Sequence, residues 1–219
     1  MDRTLSRQAA RDYYERHAEK QDRQGWYEDA ALDRLVAAGA FGEARAVLEA
    51  GCGTGLFARQ LLDQHLTDEA RYLGLDISRA MLAIAAGRLA DYDRRAQLVL
   101  ADATATLPAH GQTFDRFIAA YLLDLLPRCD SLALIGEAAR VLAPGGLLCL
   151  ASLTGSQSGL AGLVARAWGG VQRLAPHLVG GCRPVRLTEL LDPDHWEVLA
   201  RETVSPWAVA SEVVIARRR

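Results

Sequence analysis

No apolar stretch in this chain of 219 residues reaches the ~18 needed to cross a bilayer, and the opening Met1-Asp2-Arg3-Thr4 runs into charged side chains rather than an apolar signal core. A cytoplasmic protein with no integral membrane segment is expected. Cysteine is scarce: Cys52, Cys129, Cys149 and Cys182 form no C-x-x-C pair, so reduced thiols are expected rather than a disulfide or zinc framework. The five histidines, His17, His65, His110, His177 and His195, stand singly with no pair at helical spacing, and no metal site is expected. Charge of one sign is also missing. The formal net charge is −2, which gives no general attraction to polynucleotides or anionic lipid surfaces. With 50% hydrophobic and 24% charged residues, the composition is that of one globular domain spanning residues 1–219.

What is present concentrates at residues 47–55, Val47-Leu48-Glu49-Ala50-Gly51-Cys52-Gly53-Thr54-Gly55. An apolar run ends in an acid and then in a glycine at every second position, and Leu56 to Leu62 continues at helical spacing. This is a strand turning tightly into a helix, with glycines where a Cβ would block a positive-φ turn and a ligand's approach to bare N–H groups. Two phosphate-binding patterns are missing here. The third glycine of a dinucleotide fingerprint is replaced by Leu56, and no Gly-Lys-Ser/Thr follows. No lysine or arginine occurs between Arg45 and Arg59, while Glu49 brings a carboxylate, a setting for a cationic ligand rather than pyrophosphate. A second apolar run, Arg71 to Leu75, closes on Asp76, placed to accept hydrogen bonds from ribose hydroxyls.

Glu49–Gly55 followed by Gly74-Leu75-Asp76-Ile77-Ser78 resembles the first two motifs of the class I S-adenosylmethionine-dependent methyltransferases. Ala96 to Ala103, closing on Asp102, resembles the third; Phe114 to Pro127 resembles strand four, and Ala138 to Leu150 resembles the helix, Pro-Gly-Gly turn and strand five. The resemblance implies an α/β, Rossmann-like, doubly wound seven-stranded sheet with strand seven antiparallel. It implies S-adenosylmethionine as methyl donor, leaving S-adenosylhomocysteine, held by Glu49, Gly51, Cys52, Gly53, Thr54, Gly55, Asp76, Ile77, Met81, Asp102, Ala103, Ala120 and Tyr14. Tyr14 belongs to Tyr13-Tyr14-Glu15-Arg16-His17-Ala18, which is similar to the family's amino-terminal Tyr-Asp-x-x-Ala-x-x-Tyr pattern, with Glu15 and Gln21 as departures.

Strand four lacks the Asn/Asp-Pro-Pro-Tyr and Pro-Cys sequences of amino and cytosine C5 methylation, which leaves the small-molecule branch, similar to quinone-biosynthesis and natural-product enzymes. The expected partner is a small, partly apolar acceptor methylated at N, O or C by in-line displacement, not a nucleic acid, by a monomer or homodimer. Asp124, Tyr121 and His17 are the candidate catalytic groups, with His177 as another possible base. Residues 1–40 read as a helical cap. Residues 154–186 read as a lid insertion, in which Leu160, Leu163, Val164, Ala167, Trp168, Val171 and Leu174 form one apolar stripe and Arg183 is a cation for an anionic acceptor or an internal carboxylate. After it, a helix over 187–191 and strands over 197–207 and 209–217 are expected. A nicotinamide-dependent oxidoreductase and a donor-binding scaffold without turnover are the rival readings.

Overall fold

The computed structural model describes residues 7–18, 22, 25–103, 106–155 and 182–219. Seven strands form one sheet in the order β3-β2-β1-β4-β5-β7-β6. They are β1 (Ala46–Ala50), β2 (Arg71–Asp76), β3 (Ala96–Leu100), β4 (Phe114–Ala120), β5 (Leu142–Leu153), β6 (Trp196–Val204) and β7 (Ser211–Arg218). Strands β1 to β5 pair in parallel, and β7 runs antiparallel to both β5 and β6. The expected sheet, with an antiparallel seventh strand, is the one observed.

Side chains of successive strand residues go to opposite cores, as the two-residue repeat demands. Leu48, Phe117, Leu148 and Val214 pack on one face with Leu134 and Ala138 of α5 (Arg128–Val141). Val47, Ile118, Cys149 and Ile215 pack on the other with Leu35 of α2 (Gly25–Ala38) and Phe57 and Leu61 of α3 (Leu56–Gln64). The strand order reverses between β1 and β4, which opens a crevice at their carboxyl ends, the usual ligand position in such sheets.

The cap is helical as expected, in two pieces that straddle this crevice. Helix α1 (Arg7–His17) packs on α4 (Arg79–Arg88), and α2 packs on β5, β6 and β7. The Glu15 carboxylate accepts from the amides of Arg79 and Ala80 at 2.6 and 3.2 Å, satisfying donors that the first turn of α4 leaves open. The buried Arg116 of β4 holds the far end of α2, donating to Gly39 O and Ala40 O at 2.7 Å each.

Two boundaries differ from expectation. Residues 187–190 make a single 3₁₀ turn rather than an α-helix, and β6 ends at Val204 because Pro206, which has no amide to give the ladder, opens another short turn before β7. The apolar stripe of the expected lid lies outside the described residues, as do Gln21 and His177.

Candidate ligand site at the carboxyl edge of the sheet

The glycine turn is built as its sequence demands. Gly51, Gly53 and Gly55 have φ of 75°, 54° and 73°, in the left-handed region open to glycine. Gly51 N and Cys52 N both donate to Leu75 O, at 2.8 and 3.0 Å, which fixes the turn to the end of β2. Gly55 starts α3 and packs on Ala85 of α4. A Cβ at Gly53 would meet no atom within 4 Å, because it would project into open space.

That space is a cavity of about 510 Å³. Its wall includes every residue to which the resemblance assigns the methyl donor except Gly55, which is buried behind it. Asp76 accepts from Gly53 N at 2.9 Å and from Ser78 N at 2.8 Å, so the acid after β2 also shapes the turn. Burial raises its pKa in spite of these bonds. Glu49 is 3% exposed and accepts a hydrogen bond from the Tyr72 hydroxyl; burial pushes its pKa up to about 7 against that bond. Tyr14 lines the same wall, and burial drives its phenol well above the ordinary value.

Residues for which the sequence offers no motif complete the site. Asp22 of the cap accepts from Thr54 Oγ1 at 2.5 Å and from Arg88 Nη2 at 2.6 Å, and Arg88 Nη1 also reaches Thr54 O at 2.9 Å. Burial alone would raise the Asp22 pKa; the bonds from Arg88 and Thr54 outweigh it and hold the carboxyl below its usual value. Glu28 and Asp29 reach the cavity from the first turn and a half of α2, and Asp130 from the start of α5. The available signal for Glu28 was its place beside Trp26 and Tyr27, in a helix whose Tyr27, Ala31 and Leu35 are buried.

The candidate catalytic residues separate. Tyr121 lines the cavity at a strained φ of 52°, with its ring edge-on to Tyr27 at 5.8 Å between centroids and its hydroxyl donating to Ser211 Oγ at 2.9 Å. Asp124 is fully buried and is not part of the cavity wall. Neither of its oxygens makes a well-formed hydrogen bond, although the Ser152 hydroxyl and Cys182 thiol face them, and burial pushes its pKa up to about 6. His17 stacks on Tyr13 at 4.5 Å with Nδ1 2.9 Å from Tyr13 O, outside the cavity wall. Arg183 donates through Nε and Nη2 to Leu126 O, tying the last residues of the expected lid to the loop after β4. All four cysteines are free thiols, and no metal-binding cluster occurs among the described residues. No described helix is long and apolar enough to cross a membrane.

Residues 47–146 match the family described as "Methyltransferase domain". No curated protein matches the sequence. Among solved structures, the chain is similar to magnesium protoporphyrin IX methyltransferase (ChlM) from Synechocystis PCC 6803 with bound SAH, at 20% identity and a TM-score of 0.71, covering 98% of this chain and 100% of that one. It is similar to the N-methyltransferase NodS from Bradyrhizobium japonicum WM9 in complex with S-adenosyl-L-homocysteine, at 20% identity and a TM-score of 0.63, over 90% and 87% of the two chains. A complex of the Haloferax volcanii Trm112 methyltransferase activator and a methyltransferase gives 15% identity and a TM-score of 0.74, over 95% and 97%. At these identities the likeness establishes the fold.

Proposed function

We propose that this chain, whose residues 47–146 match the methyltransferase-domain family, is a class I methyltransferase that methylates an N, O or C atom of a small, partly apolar molecule with S-adenosylmethionine as donor. The observation that carries the reading is the open space over Gly53, ringed by Glu49, Asp76 and Asp102. A nucleoside with a positively charged sulfur fits a cradle of bare backbone and carboxylates; a pyrophosphate, which bare amides alone could hold, is repelled by the carboxylates beside them. No lysine, arginine or histidine is among the described residues of the cavity wall.

In this reading Asp76 spends one acceptor position on each of two backbone amides and keeps the remaining lone pairs for ribose hydroxyls. Asp102 and Ala103, after β3, flank the adenine, and Glu49 and Tyr14 lie toward the methionine portion. The bound donor supplies a methyl group on a sulfonium, which leaves as a neutral thioether. Little charge therefore needs stabilising, and the work of the chain is to align the acceptor and exclude water, an effect with a ceiling on the order of 7–11 kcal/mol. Tyr121, braced by Tyr27 and Ser211, forms a rigid wall of the acceptor end; Asp124 supplies negative potential from behind it. A general base is needed only for an acceptor protonated at working pH, where it adds ~10²–10⁴-fold.

Calorimetric titration with S-adenosylhomocysteine and with NADH tests the donor reading: micromolar binding of the first and none of the second is expected, and the reverse would overturn it. Transfer of labelled methyl to a panel of small acceptors separates an enzyme from a scaffold.

A further inference from the structure

The cavity holds more negative charge than a nucleoside sulfonium uses. Four carboxylates, Asp22, Glu49, Asp76 and Asp102, belong to the donor end, and Asp22 among them is answered by Arg88. Two others, Glu28 and Asp29, line the same cavity from α2, where the wall also carries Leu32, Leu125 and Leu126. Behind this end stands Asp124, wholly buried, with neither oxygen in a well-formed hydrogen bond and its charge answered in part by Arg183. Its charge is felt by Glu28, Tyr14 and Tyr27. An apolar end wrapped in carboxylates repels an anionic acceptor and gains nothing from a neutral one; it matches an apolar body that bears one positive charge.

We propose that the acceptor is a protonated amine on an apolar body, seated between Glu28 and the leucines, and that Glu28 takes the proton which an ammonium must lose before its nitrogen has a lone pair to give. The proton balance is closed: R–NH₃⁺ and a Glu28 carboxylate become R–NH₂ and a Glu28 carboxylic acid. Glu28 is suited to this exchange. Burial, joined by Asp124, Asp29 and Asp22, pushes its pKa up to about 7 against the bond from Tyr27. Tyr121 and Cys182 are the other titratable groups that feel it. The proposal rests on the other end of the cavity being the donor site.

The test is calorimetric titration of the protein saturated with S-adenosylhomocysteine, using three probes of one shape: 2-phenylethylamine, 2-phenylethanol and phenylacetate. The amine should bind at least about tenfold more tightly than the alcohol, and the carboxylate should not bind. Glu28→Gln should lose about tenfold or more of the amine affinity while its S-adenosylhomocysteine affinity stays within about twofold, which also shows that the variant is folded. Amine affinity of the unaltered protein should fall as pH drops from about 8 to about 6, and Glu28→Gln should show a clearly smaller fall, the remainder coming from Asp124. Equal binding of amine and alcohol, binding of the carboxylate, no binding of any probe, or an amine affinity indifferent to Glu28→Gln would each overturn the proposal. Failure of S-adenosylhomocysteine itself to bind would instead overturn the donor reading on which it stands.

Discussion

Thr54 Oγ1 donates to Asp22 at 2.5 Å, so the cap is bonded to the glycine turn through the side chain of the turn itself. Arg88 grips both partners, reaching Asp22 at 2.6 Å and Thr54 Oγ1 at 2.7 Å. The cap thereby closes on the donor end through three residues drawn from three separate elements. Thr54→Val keeps the shape and removes the hydroxyl, leaving the Asp22–Arg88 pair. With Asp22 side chain 35% exposed, the loss is discounted to about 1.4 kcal/mol or less, expected as up to about tenfold weaker S-adenosylhomocysteine binding, mostly in the dissociation rate. Stopped-flow or surface-plasmon dissociation rates check it, and an unchanged rate would mean that the latch does not guard the ligand.

Gly53 and Gly55 share a left-handed backbone but face different surroundings, so the same substitution separates binding from folding. Alanine at Gly55 would place its Cβ 3.0 Å from Ala85 Cβ and 3.2 Å from Ala85 Cα, where α3 and α4 are packed, so clash adds to a conformational cost of roughly 1–2 kcal/mol. Alanine at Gly53 meets nothing and carries only the conformational cost, yet its methyl occupies the cradle. Gly55→Ala should therefore show the larger drop in unfolding midpoint, and Gly53→Ala the larger loss of S-adenosylhomocysteine affinity relative to its stability loss. Thermal scans and titrations of the two proteins decide it.

Arg116 offers a test of how firmly the cap is anchored. Its guanidinium, in a residue 6% exposed, satisfies the carbonyls of Gly39 and Ala40 at the end of α2. Arg116→Met retains much of the volume and leaves both carbonyls without these donors, at a cost on the order of 2–4 kcal/mol. Urea unfolding should show a lower midpoint at an unchanged slope, the product of slope and midpoint falling by that amount.

The central fold was legible because its signals are local. Val47 to Gly55 spells strand and turn within nine residues, and β2 and β3 close on Asp76 and Asp102, at or within two residues of their ends. The glycine turn and the acids of the proposed donor end were legible for the same reason, whereas Asp22 and Arg88 beside them were not. At the proposed acceptor end Tyr121 was named from its place after strand four, but Glu28 of the cap and Asp130 of α5 were not, because their closeness to it depends on how α2 lies across β5 to β7. No spacing in the chain encodes that. The ends of β6 and β7 were displaced for a milder reason: Pro206 and Trp207, apolar and strand-like in composition, form a turn with Trp207 at φ of 53°.

Buried carboxylates also set how stability depends on pH. Folded Glu28 and Glu49 keep their protons up to about pH 7 and folded Asp124 up to about pH 6, whereas in an unfolded chain all three carboxyls ionise near pH 4. Between those limits the folded state binds more protons than the unfolded one, so raising the pH favours unfolding. Groups of the opposite kind, such as Asp22 and Glu137, whose pKa values are lowered on folding, contribute stability above about pH 4 and lose it only as the pH falls further. The ligand-free protein should therefore be most stable near pH 5 and lose on the order of 5 kcal/mol or more by pH 8. Glu49→Gln and Asp124→Asn each remove one of the buried acids, so each should flatten this fall, gaining on the unaltered protein at pH 8 and much less at pH 5. Denaturant unfolding of the three proteins at the two pH values provides the measurement. If stability instead rose from pH 5 to pH 8 and neither variant altered the slope, these carboxylates would be ionised in the fold without penalty, and the low-dielectric wall behind the cavity would be ruled out.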